Sequence, residues 1–150
     1  MSIETNFLAV RTSLQTMSLS HFWNGYGSAI FLEFGQLTEK IKKDGTLGNP
    51  QGEITVGIEW SWRVEYKTSI ICGSWSDDEL WLPTFDRLIG KKLRQLSLYG
   101  RLPEIELTFD NGLRLLSFAT SDGQPEWMII DKRAANGHSF GVKNGKLHQE

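Results

Sequence analysis

Cysteine occurs once in the 150 residues, as Cys72. A single thiol excludes an intramolecular disulfide and any thiolate metal cluster within one chain. Flanked by Ile70, Ile71 and Gly73, it reads as a small buried hydrophobe. Histidine is nearly as scarce: His21, His138 and His148 are far apart and show no H-E-x-x-H or other ligand spacing, so no metal site is expected. Charge of one sign is lacking too. A net charge of −2 and a pI near 5.9 give no global field for nucleic acid or an anionic membrane. Lys91, Lys92, Arg94 and Arg101 do cluster, but they read as a solvated face. No apolar run approaches the ~20 residues of a membrane-spanning helix. Glu4 comes early with no basic segment and no long apolar segment around it, so no secretory signal is read and the cytoplasm is the expected address.

Signatures of catalysis are equally sparse. Gly73-Ser74-Trp75-Ser76 is not a G-x-S-x-G elbow, because the first glycine directly precedes Ser74 and none follows. Gly25-Tyr26-Gly27-Ser28-Ala29-Ile30 begins like G-x-G-x-x-G, fails at the third glycine, and precedes a strand where a dinucleotide fingerprint opens a helix. No cofactor is expected.

What remains is an ordinary globular composition, 39% hydrophobic and 23% charged, enough for one sizeable core in one domain. Ile3, Phe7, Val10, Leu14 and Met17 recur at helical spacing, predicting a helix over residues 3–17 with Ser2 as N-cap. A turn-rich stretch, His21 to Gly27, leads to a strand at 28–35. Residues 38–53, with Lys40, Lys42, Lys43, Asp44 and the breakers Gly45, Gly48, Asn49, Pro50 and Gly52, read as a long exposed loop, or as the wide connection of a hairpin to the next strand. From Ile54 to Tyr66 every even position is apolar. That period of two predicts one half-buried strand, with Ile58, Trp60, Trp62 and Val64 inward. At ~43 Å such a strand is unusually long, so a bulge is expected at Gly57.

A further strand at 68–74 precedes Ser76-Asp77-Asp78-Glu79, which reads as a helix start with Ser76 as cap. That helix is interrupted near Pro83 and closes at Gly90. Six strands follow as an antiparallel meander: 91–99, 104–109, 113–120, 126–132, 139–143 and 146–149. A two-residue turn at Asn111-Gly112 sets Leu107 against Leu116 and Ile105 against Phe118, with Leu115 outward; Asn144-Gly145 sets Val142 against Leu147. The expected fold is therefore α+β, a single domain with a mostly antiparallel twisted sheet, an N-terminal helix and a mid-chain helix. Phe31, Ile58, Trp60, Trp62, Val64, Leu96, Leu107, Phe109, Leu116, Phe118 and Trp127 form the expected core.

Two groups of side chains stand out as candidates for function. Glu59, Arg63 and Glu65 share the polar face of the Ile54–Tyr66 segment, with the two glutamates ~20 Å apart on a straight strand, too far for a glycosidase pair. Trp75 and Trp81 bracket Ser76, Asp77, Asp78 and Glu79 on a connection, an aromatic and acidic arrangement suited to a protein partner. Packing of Trp81 beneath its own helix is the competing reading. Glu104 and Glu106, two apart on one strand face, read as solvated.

Trp62-Arg63, Ile70-Ile71 with Gly73-Ser74, Leu88-Ile89-Gly90-Lys91-Lys92, the run from Leu107 to Leu115, and Glu126-Trp127 together carry a resemblance. Over about residues 54–131 the chain resembles a group of small uncharacterised bacterial proteins, some of them similar to immunity proteins of polymorphic or contact-dependent toxin systems. The resemblance brings no catalytic residue set. Together with the absence of catalytic motifs and the acidic-aromatic connection Trp75–Trp81, it points to a non-catalytic cytoplasmic protein, monomer or homodimer, that neutralises a cognate toxin by occluding its active site. The contact residues expected from the residue patterns themselves are Trp75, Asp77, Asp78, Glu79, Trp81, Glu59, Arg63 and Glu65. Two other readings stand beside it. One is a small-ligand site or enzyme on a concave sheet face using Glu59, Arg63 and Glu104. The other is an oligomeric scaffold.

Overall fold

The computed structural model describes residues 2–121, 126–135 and 137–150. Helix α1 (Ile3–Leu14) leads to strands β1 (Leu19–Asn24), β2 (Ile30–Phe34), β3 (Ile54–Ile58), β4 (Trp62–Tyr66) and β5 (Ser69–Gly73). A 3₁₀ turn (Asp78–Leu80) and helix α2 (Trp81–Asp86) precede β6 (Leu93–Tyr99), β7 (Glu104–Phe109), β8 (Leu113–Ser117), β9 (Trp127–Asp131), β10 (His138–Lys143) and β11 (Lys146–Gln149). The strands form two antiparallel sheets, ordered β1-β2-β3-β9-β10-β11 and β5-β4-β8-β7-β6. Their facing sides share one apolar core, seen where Phe34 of β2 and Phe109 of β7 stack with centroids 6.2 Å apart. The α+β class, the N-terminal helix and the mid-chain helix are as expected. The meander is not continuous, because β8 and β9 belong to different sheets.

Helix α1 starts where its cap dictates: Ser2 Oγ accepts from the Thr5 amide at 3.1 Å. It ends at Leu14, three residues short of the apolar periodicity, because the chain is already engaged with β6. Gln15 Oε1 accepts from the Leu96 amide and the Met17 carbonyl accepts from the Leu93 amide. Phe7 lays its ring against Trp127 and Phe140, sealing one end of the core.

The Ile54–Tyr66 segment is two strands in two sheets, not one bulged strand. The break falls at Glu59, Trp60 and Ser61, while Gly57 sits in regular β3 pairing. Gly57 is needed for a different reason: a Cβ there would lie 3.0 Å from the Phe31 ring and 3.1 Å from Met128 Cγ, so its missing side chain is the slot they occupy. Phe31 therefore lies on the outer face, stacked on Trp23 at 4.2 Å, and is only half-buried. Trp60 turns outward at the crossing. The period-two pattern survives the break by coincidence of phase, since Ile58 and Trp62 each face the core from their own sheet.

Two turns show how register is set. Asn144 and Gly145 both hold positive φ, 54° and 72°, and Val142 pairs with Leu147 as expected of a two-residue loop. At Asp110-Asn111-Gly112 only Gly112 does, at +88°, and the Asn111 side chain accepts from the Leu113 amide. The loop thus has three residues. Leu107 faces Leu115 and Glu106 faces Leu116, one residue off the expected register. A slip of one exchanges the faces: Leu115 is core, while Leu116 and the half-buried Phe118 take the outer side. Phe109 is fully buried.

Pro83 does not interrupt α2. It lies in the first turn, where no intrahelical partner is lost. The helix ends earlier than expected, at Asp86 with Arg87 as its C-cap, and Gly90, at φ +82°, ends the turn that follows, its amide donating to the Leu19 carbonyl. No helix among the described residues is long and apolar enough to cross a membrane.

Candidate functional site

Three connections converge on one side of the molecule: the β1–β2 turn, the β3–β4 break, and the segment from β5 into α2. Between them lies an open groove of about 790 Å³. Aromatic side chains dominate its walls. Tyr26 is 100% exposed, Trp75 78% and Trp60 39%, values far from those of core aromatics. Phe31 and the buried Trp81 lie below them. Among the described residues two acids line the groove, Glu59 and Asp78, and no Lys, Arg or His does.

The groove is held together largely through Trp62. Its indole Nε1 donates to the Ser28 carbonyl at 2.8 Å, and the Ser28 hydroxyl donates to the Trp60 carbonyl at 2.7 Å. Its main-chain amide donates to Ser74 Oγ at 3.3 Å, and its carbonyl accepts from the Ser74 amide at 2.9 Å. The Trp62 ring, fully buried, meets Trp81 edge-on at 4.9 Å and Phe85 at 5.2 Å. One side chain thus ties all three connections to the second sheet. Ser76 fixes the far wall: its hydroxyl accepts from the Gly73 amide and its carbonyl from Trp81 Nε1 at 3.2 Å. That is why Ser76 does not cap a helix. The 3₁₀ turn begins after Asp77, without a side-chain cap.

Of the residues expected at a contact site, the structure brings Trp75, Asp78, Trp81 and Glu59 to the groove. Asp77 and Glu79 flank Asp78 in the exposed depression beside it. Trp81 contributes only from beneath, since it packs against Trp62 as the competing reading foresaw. Arg63 and Glu65 are elsewhere and neutralise each other. Arg63 Nε lies 2.6 Å from Glu65 Oε2, Arg114 meets the other oxygen at 3.2 Å, and the Arg63 guanidinium sits over the Phe118 ring. Burial pushes the Glu65 carboxyl up, but the hydrogen bonds and charges of Arg63 and Arg114 outweigh it and hold the group below its ordinary range.

The constellation of Glu59, Arg63 and Glu104 does not assemble. Glu59 lines the groove, Glu104 a separate small chamber, and Arg63 neither. Glu104 is also not solvated: it is buried, and its carboxylate accepts from Ser117 Oγ at 2.7 Å and the Ala119 amide at 2.6 Å.

No family model matches the chain, nor does any curated protein or solved structure. The site must therefore be read from its own chemistry. Tyr26 and Trp60 are the contributors that sequence reasoning passed over. Tyr26 carries a usable signal, an aromatic between two glycines at a turn, where no core can receive it. Trp60 carries none, because its even position matches a core pattern. Together the walls offer flat apolar faces beside uncompensated negative charge, a combination that binds cationic side chains by stacking and ion pairing.

Proposed function

We propose that the chain is a protein-binding module whose groove receives a basic segment of a partner, and that it acts as an immunity protein neutralising a bacterial toxin by occlusion in the cytoplasm. The observation that carries the binding reading is the convergence of exposed Tyr26, Trp60 and Trp75 with Glu59 and Asp78 in a groove that no cationic side chain among the described residues lines. Exposed tryptophan and tyrosine are the residue types that dominate interface energetics when a partner desolvates them. Charge complementarity selects an arginine- or lysine-bearing occupant and speeds its encounter. The toxin as partner rests on the resemblance over residues 54–131.

Co-expression with the product of the adjacent gene, followed by co-purification and a protection assay, tests the reading. Trp75→Ala is expected to weaken the complex about 30-fold or more, at ~2 kcal/mol for a hot-spot aromatic. Glu59→Gln with Asp78→Asn should slow association and flatten its salt dependence. Loss of protection without loss of binding would separate occlusion from mere association. Absence of both would sink the immunity reading.

A second reading has one observation in its favour. At about 790 Å³ the groove falls within the range of small-molecule sites. A cationic aromatic ligand that binds with Trp75-dependent fluorescence quenching, and no protein partner, would favour it.

A further inference from the structure

Trp60 also lines a second, much smaller cavity, a chamber of about 10 Å³. It sits where the chain passes between the sheets twice, at the β3–β4 break and after β8. Main-chain bonds clamp the two passages together: the Phe118 amide donates to the Ser61 carbonyl at 3.1 Å and the Glu59 amide to the Glu126 carbonyl at 3.0 Å. Among the described residues four polar side chains line the space, Ser61, Glu104, Ser117 and Glu126, and no cationic one does.

Their hydrogen bonding divides sharply. Glu104 and Ser117 are satisfied within the chain, the hydroxyl accepting from the Ile105 amide while donating to the carboxylate. Ser61 Oγ and Glu126 Oε2 are both sealed from solvent, and neither has a hydrogen-bond partner among the described residues. Ser61 as a whole is 2% exposed. Orphaned buried polar atoms are uncommon in native proteins, and these two belong to residues that line the same cavity. The cavity volume matches the room that a single water requires, and such a water needs two to four polar partners.

We infer that the chamber is a buried water site, in which one water accepts from the Ser61 hydroxyl and donates to Glu126 Oε2, with the Glu104 carboxylate as a further acceptor. The bound water bridges the β3–β4 break to the β8–β9 crossing and so braces the backbone that presents Trp60 to the groove. Glu126 is suited to the role: burial, and secondarily the Glu104 charge, raise its carboxyl above the ordinary range, so a polar neighbour relieves it.

The test is a crystal structure of the full chain at atomic resolution, grown with rubidium in place of sodium. A peak ~2.7–3.2 Å from Ser61 Oγ and Glu126 Oε2 without anomalous rubidium signal is expected. An anomalous peak would make the chamber a cation site, and no peak would make it a dry void; either overturns the inference. In solution, oxygen-17 relaxation dispersion should count one fewer long-lived water in Ser61→Val, whose methyls fill the chamber. If that variant does not fold, Ser61→Ala removes one partner and should shorten the residence time of that water. An unchanged count and residence time would overturn the inference as well.

Discussion

Trp62→Phe is the sharpest perturbation of this molecule. The substitution keeps a ring facing Trp81 and Phe85 but removes the indole N–H that holds the Ser28 carbonyl at 2.8 Å. An acceptor left without its donor in a partly buried position costs about 1–3 kcal/mol. The smaller ring adds a void in a site with no exposure, bringing the expected loss to about 2–4 kcal/mol in all. Urea denaturation should show that loss as a lower midpoint with an unchanged slope. Thermal unfolding should fall by roughly 2–4 °C for each kcal/mol in a chain of this size. The effect should also reach the groove, because the Ser28 hydroxyl carries the constraint on to the Trp60 carbonyl. Amide exchange in the β1–β2 turn should accelerate beyond what global destabilisation explains. Trp75→Ala is the control: mostly exposed, it should stay within ~0.5 kcal/mol of wild type. A Trp62→Phe variant as stable as that control would refute the account of Trp62 as the tie between the three connections.

Further outcomes follow from charge and backbone geometry. Glu65 has a depressed carboxyl, so its contribution is present above the ordinary carboxylate range and is lost as pH falls through its folded value. Glu65→Gln should therefore cost about 1 kcal/mol at neutral pH, given the partial exposure of both arginine pairs, and less in acid, as read from denaturation midpoints across pH. Glu126 behaves oppositely. Its raised carboxyl favours the fold while protonated and loses that favour as pH rises through its folded value, so Glu126→Gln should stabilise at neutral pH and not in acid. Gly112→Ala places a side chain at φ +88° and 3.3 Å from the Tyr66 ring. It should destabilise by about 1–2 kcal/mol in chemical denaturation; a neutral result would argue against the three-residue turn.

Much of the fold is legible in the sequence because local signals fix it. The cap at Ser2, the Asn144-Gly145 turn and the strand positions in the second half each follow from the residues on the spot. The failures share a cause: they depend on atoms distant in sequence. Whether Asn111-Gly112 closes a two- or three-residue loop turns on which residue takes positive φ, and that choice moved Leu115 into the core and Leu116 out of it. Gly57 looked like a bulge because nothing local reveals that Phe31 and Met128 need its space. The candidate site divides the same way. Trp75 and Asp78 were legible as an aromatic and acidic connection, but Tyr26 and Trp60 join them only through strand pairings that no short window contains. Glu104 read as solvated because its partners, Ser117 and Ala119, come from the next strand and the turn beyond it.

Strand β3 has a consequence for how the chain acquires its structure. It pairs with β2 on one side and with β9 on the other, where Ile54 meets Asp131 and Ile58 meets Trp127. During synthesis the β1–β2–β3 unit can form early, yet its outer edge must wait until β9 has emerged. For that interval Ile54, Val56 and Ile58, all buried in the finished molecule, border an unpaired edge that can template pairing with other chains. Long-range pairing of this kind makes folding slow relative to a helical protein of the same length. The second sheet, complete once β8 has formed, can serve in the meantime as the surface on which the first is finished.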